Sequence, residues 1–443
     1  MKKLMFLVLL SSAALCNETE IASEVLNRAD EEKLLNEMVA DELKELGIDC
    51  PFSFRGTFNF TALSMHQKLK DGGDNPVSAL ESDVFLKYCD KHDQCNFGVE
   101  IGAKVNSGVM KQGSPILRVA YVFVGSEAIG TMKVGFTSTV ADSMATNGGS
   151  VLVGYGGAAS RNLSIFYNES AGSFVDMGFP FDDNKAAKIA LTSAKFSGFS
   201  AGISFTPDSR SANPFKTLHP KPHNPEISEE KANFTGMRTA YSKNIVTGGV
   251  AYEFGDPQEF NGALSLCGWV GKGKTSVIGV DVENIGAYSV GAIVGYKDFK
   301  LAFGYCDNRK SLRSKKYATA GMESFDEDRE YTFADPEVGL KPGADTGKMY
   351  SVGVSYAVNS KFTVSSGYFK SVVKFSDNEK STADVLTAAG EYALHKSASV
   401  YAEYDMIRSD ACARAQAYHK ACDLSTAGKN RANAFMVGVK VNI

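Results

Sequence analysis

The run Leu117-Arg-Val-Ala-Tyr-Val-Phe-Val124 leads through the short Gly125-Ser-Glu-Ala-Ile-Gly130 into Thr131-Met-Lys-Val-Gly-Phe-Thr-Ser-Thr-Val140. In the second run Met132, Val134 and Phe136 alternate with Thr131, Lys133, Gly135 and Thr137. Successive side chains of a strand point to opposite faces, so this segment has one oily face and one wet face, and the pair reads as a hairpin. After Val140 come about 45 residues without a strong period, a length that is uncommon for a connection in a compact domain and usually functional. They are rich in Gly and Ser and carry Asp142, Glu169, Asp176 and Asp182. We read residues 141–186 as a loop folded into a barrel, where it sets the width and charge of a channel.

The same alternation recurs along the chain. Phe52, Phe54, Gly56, Phe58 and Phe60 share one face, with Ser53, Arg55, Thr57, Asn59 and Thr61 on the other. The last segment places Phe435, Val437, Val439, Val441 and Ile443 opposite Met436, Gly438, Lys440 and Asn442. Between them lie further strand segments, including 83–89, 96–105, 187–193, 199–205, 263–270, 288–296, 299–305, 349–358, 362–369, 385–394 and 398–406. Connections of a few residues follow the even-numbered strands and longer ones follow most odd-numbered strands, as a barrel with short turns on one side of a membrane requires. The expectation is an all-β fold: a transmembrane antiparallel β-barrel of about 16 strands with an inward-folded constriction loop and a short N-terminal helix.

Composition agrees. Gly contributes 42 of 443 residues and aromatics 11%, which suits strands that curve and anchor at membrane interfaces. A formal charge of −4 leaves no electrostatic footprint for nucleic acid. Residues 1–16 read as a secretory signal peptide, with Lys2 and Lys3 before the apolar Leu4 to Leu10 and the small Ser11 to Ala14. Leu15 stands where a lipoprotein signal at Cys16 needs a small residue. Residues 17–50 carry Leu34, Leu35, Met38, Val39, Leu43 and Leu46 at helical spacing, the pattern of an N-terminal periplasmic helical segment, and residues 51–443 form the barrel. No later apolar run approaches the ~18 residues of a spanning helix, so a membrane crossing must use a closed sheet. Export permits disulfides: Cys89 with Cys95 would close a short turn and Cys412 with Cys422 a long loop, with reduced thiols the alternative.

A barrel of this size leaves an aqueous lumen, whose function is passage. The face opposite the oily one carries Arg55, Lys87, Lys104, Arg118, Lys133 and Lys188 on the first six strands, which we read as pore-lining cations. The acidic Asp142, Glu169, Asp176 and Asp182 of the loop would face them across a transverse field. Asp83, Glu100, Glu391, Glu403 and Asp405 also fall on the inner face, so the sum does not give selectivity.

The run Ala120-Tyr-Val-Phe-Val-Gly125 through Gly130-Thr-Met-Lys-Val-Gly135 to Asp142-Ser-Met144 resembles the strand pair entering the constriction loop of Gram-negative general porins of the alphaproteobacterial type. Lys195-Phe-Ser-Gly-Phe-Ser-Ala-Gly-Ile-Ser-Phe-Thr-Pro-Asp208 is similar to the hairpin that follows it there, and Tyr296-Lys-Asp-Phe-Lys-Leu-Ala-Phe-Gly-Tyr305 and the last strand match the family's manner. The resemblance covers most of residues 52–443. It implies a homotrimeric diffusion pore for small hydrophilic solutes and ions in the outer membrane of a Gram-negative bacterium, in contact with its lipid and lipopolysaccharide. The chain departs from the family in ending on Ile443, where Phe is usual, and in its cysteines.

Competing readings are weaker. Gly268-Trp-Val-Gly-Lys-Gly-Lys-Thr275 satisfies a phosphate-loop pattern, but that motif needs a helix to follow, and Ser276-Val-Ile-Gly-Val is strand-like. His219 and His223 are separated by two prolines, which preclude a helical metal pair. No enzymatic constellation, cofactor or metal is expected. The alternative to a pore is a plugged barrel serving as a surface adhesin or envelope anchor.

Overall fold

A computed structural model describes residues 52–67, 77–92, 95–108, 116–155, 186–209, 240–256, 259–275, 282–311, 347–374, 380–410 and 429–442. The N-terminal 51 residues, with the expected signal and helical segment, lie outside the described residues, as do Glu169, Asp176, Asp182, His219, His223, Cys412, Cys422 and Ile443.

The strands are β1 (Phe52–Gln67), β2 (Val77–His92), β3 (Cys95–Gly108), β4 (Ile116–Ser126), β5 (Gly130–Phe136), β6 (Ala187–Ser193), β7 (Phe199–Asp208) and β8 (Ala240–Gly255). They continue as β9 (Phe260–Thr275), β10 (Ile285–Tyr296), β11 (Phe299–Asp307), β12 (Lys348–Ala357), β13 (Phe362–Lys374), β14 (Lys380–His395), β15 (Ala398–Asp410) and β16 (Lys429–Asn442). Each pairs antiparallel with its sequence neighbours, and β1 closes on β16 with Phe60 opposite Val439. The barrel therefore has no free edge, which satisfies every strand's backbone inside lipid. Several strands outrun the segments that alternation marks. β2, for example, extends from 83–89 to Val77–His92, because the ladder continues through ends such as Val77-Ser-Ala-Leu-Glu81, where the apolar and polar residues do not alternate.

Alternation sorts the side chains. Val122, Leu266, Phe303, Leu386 and Phe435 lie on the outer face and are exposed, as a lipid-facing band requires. Aromatics gather at its two borders. At the short-turn end Phe199 stacks on Tyr252 at 4.2 Å, which leads to Phe254 and Phe260 at 5.8 and 6.0 Å. At the long-loop end Tyr305 lies 6.0 Å from Tyr288 and 5.2 Å from Tyr350. These are the two girdles that anchor a barrel at the headgroups. Among the described residues no helix is long and apolar enough to cross a membrane.

Candidate functional site

From Thr137 to Tyr155 the chain leaves the wall after β5 and runs inside the barrel. Thr139 caps a one-turn helix, α1 (Val140–Met144), by accepting from the Asp142 amide at 3.1 Å. Val140 and Ala141 are buried, and Ala141, Met144 and Ala145 pack on the inward Ile245, Cys267, Trp269, Ile285 and Ala287 of β8, β9 and β10. A 3-10 turn (Gly148–Val151), closed by a reciprocal Asn147 and Ser150 capping box, carries the chain past β11 and β12. Leu152 and Tyr155 then meet an apolar cluster that includes Phe369, Val385, Ile407 and Met436.

A segment lying on a completed sheet has no ladder partner for its amides, and each buried amide still needs one. The inner face supplies them in strand order. Val140 N donates to Ser204 Oγ on β7 at 3.3 Å, Thr146 N to Ser265 Oγ on β9 at 3.0 Å, and Gly148 N to Ser351 Oγ on β12 at 3.0 Å. Val153 N then donates to Ser365 Oγ on β13 at 3.1 Å, Gly154 N to Glu391 Oε2 on β14 at 2.9 Å, and Tyr155 N to Glu403 Oε2 on β15 at 2.5 Å. Neutral bonds of this kind each contribute about 0.5–1.5 kcal/mol net, and those to carboxylates about 1.5–3 kcal/mol.

Glycines make room for this contact. A Cβ on Gly291 of β10 would lie 1.9 Å from the Thr146 carbonyl oxygen, and one on Gly353 of β12 would lie 1.9 Å from that of Gly148. The inner face of β7 to β15 is thus a serine and glycine track that seats the loop against the wall.

The wall from β16 through β1 to β5 is built differently. Phe85 on β2 faces Gly102 on β3, Phe123 on β4 faces Gly98 on β3, and Tyr401 on β15 faces Gly438 on β16. In each pair a Cβ on the glycine would meet the ring within 3 Å, so the missing side chain lets the aromatic lie over its neighbour strand. A cation covers each ring: Arg55 lies 4.7 Å from the Phe85 centroid, Lys87 5.0 Å from Phe123 and Lys440 5.2 Å from Tyr401. Lys133 lies 4.9 Å from the ring of Tyr121, which stands opposite Gly135. Arg55 also pairs with Glu100 at 2.7 Å, its own side chain 62% exposed and that of Glu100 only 6%. Lys440 pairs with Glu391 at 2.9 Å.

The structure brings Arg55, Lys87 and Lys133 together on this wall. Lys104 pairs in register with Asp83 of β2. Arg118 falls at a register shift between Gly102 and Ala103, across which alternation does not carry. Lys188 points inward but is 2% exposed and donates to the Thr137 carbonyl at 2.5 Å, holding the start of the inner loop. Asp142 sits on α1, which packs against β7, β8 and β9.

Sequence reasoning assigns aromatics to lipid and so misses Phe85, Tyr121, Phe123 and Tyr401 inside. The available signal is the inward glycine directly opposite each. It also makes no assignment for Ser204, Ser265, Ser351 and Ser365, the small polar residues at inward positions of β7, β9, β12 and β13 that mark the loop's seat. Gly268–Thr275 lies within β9, paired with β8 up to Thr275 and with β10 as far as Gly271, so its backbone amides serve sheet ladders instead of cradling a phosphate. Cys89 and Cys95 are not joined to each other, and Cys267 and Cys306 are buried free thiols on the inner face.

A closed sixteen-strand barrel, apolar outside, charged within and with chain folded into its bore, defines an outer-membrane diffusion channel. The chain belongs to the Gram-negative porin family, whose profile matches residues 61–411. That family consists of channels and not of enzymes.

An uncharacterised protein of Rickettsia bellii is 24% identical over 64% of this chain and 68% of that one. One from Rickettsia prowazekii is 26% identical over 37% of this chain, and the match spans only 43% of that protein's length. Among solved structures, the anion-selective porin from Comamonas acidovorans gives a TM-score of 0.53 at 15% identity, covering 89% of this chain and all of that one. The trimer form of OmpT from Vibrio cholerae gives 0.52 at 14% identity, covering 89% and 99%.

Proposed function

We propose that the chain is a homotrimeric general porin of the alphaproteobacterial type, and that Arg55, Lys87 and Lys133 line its narrow section. The observation that carries this reading is the division of the inner surface. The described part of the loop, residues 137–155, runs over the inner face from β7 to β15 and ends on a cluster that reaches Met436 of β16 and Leu63 of β1, and the cation-bearing wall of β1 to β5 lies outside that stretch. Three inward cations there, Arg55, Lys87 and Lys133, stand against two inward carboxylates, Glu100 and Asp83, of which Glu100 is deeply set. This favours passage of anions over cations, the property named for the Comamonas porin of like fold. Lys104 belongs to the same lining by strand position, Arg118 joins it through the register shift on β4, and Asp142, Glu169, Asp176 and Asp182 are the loop's acidic counterpart. Trimer assembly follows the form described for OmpT of like fold. Residues 1–16 serve export, and residues 17–50 form a periplasmic segment ahead of the barrel.

Detergent-purified protein in a planar bilayer tests the reading. Stepwise ohmic conductance in groups of three, with a reversal potential toward the anion side in a KCl gradient, is the expected result. A silent bilayer would instead support the plugged adhesin, and single unlinked steps would count against the trimer.

A further inference from the structure

We propose that the cation and aromatic wall of β1 to β5 is a binding strip for planar aromatic carboxylates in transit. This rests on the pore reading above and goes beyond it in naming a solute class. Chloride passage needs only the cations, yet on this wall Arg55, Lys87 and Lys133 are interleaved with Phe85, Phe123 and Tyr121.

The partners of these cations differ. Arg55 is bound to Glu100 at 2.7 Å. Lys87 and Lys133 make no ion pair among the described residues, and each ammonium rests on a ring face, at 5.0 and 4.9 Å from the centroid. An ammonium gains more from a carboxylate, through a short charge-assisted hydrogen bond, than from a ring's quadrupole. A carboxylate entering the bore therefore draws the lysine head off its ring. The face it leaves is apolar, flat and next to the bound anion. A planar aromatic body fills that face in offset stacking, whereas acetate leaves it wet and a puckered ring covers it poorly.

The two sites repeat side by side. Lys133 stands directly across from Phe123, the ring that carries Lys87. A solute released from one lysine and ring pair thus lies next to the second, which lets a bound solute step along the bore.

The test uses the purified full-length mature protein in a planar bilayer carrying KCl current, with benzoate, cyclohexanecarboxylate and acetate added in turn. Benzoate is expected to halve the current at about a tenth of the acetate concentration, a difference of about 1.4 kcal/mol, with cyclohexanecarboxylate close to acetate. Joint Tyr121→Leu and Phe123→Leu substitution should bring benzoate to within about twofold of acetate, and Phe123→Tyr alone should keep the preference. Lys87→Gln with Lys133→Gln should weaken block by all three. KCl steps with equal block by benzoate and acetate, or with benzoate matched by cyclohexanecarboxylate, would overturn this inference and leave the pore reading standing. A preference that survives the double leucine change would overturn it as well. Absence of KCl steps in the unmodified protein would refute the pore reading and this inference with it. If the leucine variants do not insert, the comparison of the three anions on the unmodified channel decides alone.

Discussion

Replacing Gly353 by valine should lift the inner loop from its seat without unfolding the barrel. Gly353 is buried on the inner face of β12, and a Cβ there would lie 1.9 Å from the Gly148 carbonyl oxygen and 2.9 Å from its carbon. Ordinary contact begins near 3.4 Å, so the loop must retreat by about 1.5 Å before van der Waals contact is restored. That retreat stretches the bond from Gly148 N to Ser351 Oγ, now 3.0 Å, beyond hydrogen-bonding range and strains the next one, Val153 N to Ser365 Oγ at 3.1 Å. Two neutral bonds contribute about 1–3 kcal/mol together, and partial exposure of the buried Val151 adds about 1 kcal/mol. A penalty of this size shifts the loop population by one to several orders of magnitude while the strand ladders stay intact.

The displaced loop has only the bore to enter. Single-channel recording should show a lower mean conductance with added flicker, while the folded barrel keeps its resistance to heat in detergent. Gly286→Ala, on the opposite face of β10 from the inward Ile285 and Ala287, is a control for adding a side chain that touches no loop atom, because a Cβ there meets nothing within 4 Å. Wild-type conductance and noise in Gly353→Val, or equal disturbance by Gly286→Ala, would refute the idea that glycines seat the loop.

Three further outcomes follow from the same structure. Lys133→Glu reverses a charge that has no ion-pair partner among the described residues; at about 6 Å from a passing ion in about 0.1 M salt this should move the anion-to-cation permeability ratio about tenfold toward cations, read as a reversal potential. Arg118→Glu should move it the same way, and no shift in either would mean that these residues do not border the narrow point. Leu266→Lys, on the lipid face of β9 and 52% exposed there, should lower barrel stability by about 2–4 kcal/mol if it lies at the bilayer midplane, measured by denaturant unfolding in lipid. Glu403→Ala removes the buried carboxylate that accepts the Tyr155 amide, and hydrogen exchange at Tyr155 should accelerate at least tenfold, in line with loss of a charge-assisted bond of about 1.5–3 kcal/mol.

The strand plan is legible because lipid imposes period 2 on every span. Phe435, Val437 and Val439 announce β16 in one line of sequence, and the short turns after even strands fix which neighbours pair. The path of the inner loop is not legible, since its contacts join residues far apart in sequence. Gly148 meets Ser351 and Tyr155 meets Glu403, and nothing local to residues 137–155 points to either. For the same reason Glu391 and Glu403 are recognisable as inward charges while their task of holding loop amides is not.

The cations divide on a related ground. Arg55, Lys87 and Lys133 follow from alternation alone. Lys188 shares their face, yet its burial beneath Thr137 depends on where the loop lies. The inward aromatics are hidden by the usual sorting of rings to lipid, which fails wherever an inward glycine stands opposite and gives a ring somewhere to lie.

The division of the bore into a track covered by residues 137–155 and a cation-bearing wall is tested most directly by thiol reactivity. A Thr57→Cys variant places a thiol on the inner face of β1, where Thr57 is exposed, while the native Cys267 lies on the inner face of β9, 2% exposed beneath α1. Peptide mass spectrometry after a timed pulse of a small anionic alkylating reagent on the folded protein should find the introduced thiol modified orders of magnitude faster than Cys267. Modification of both thiols at the same rate would contradict the account.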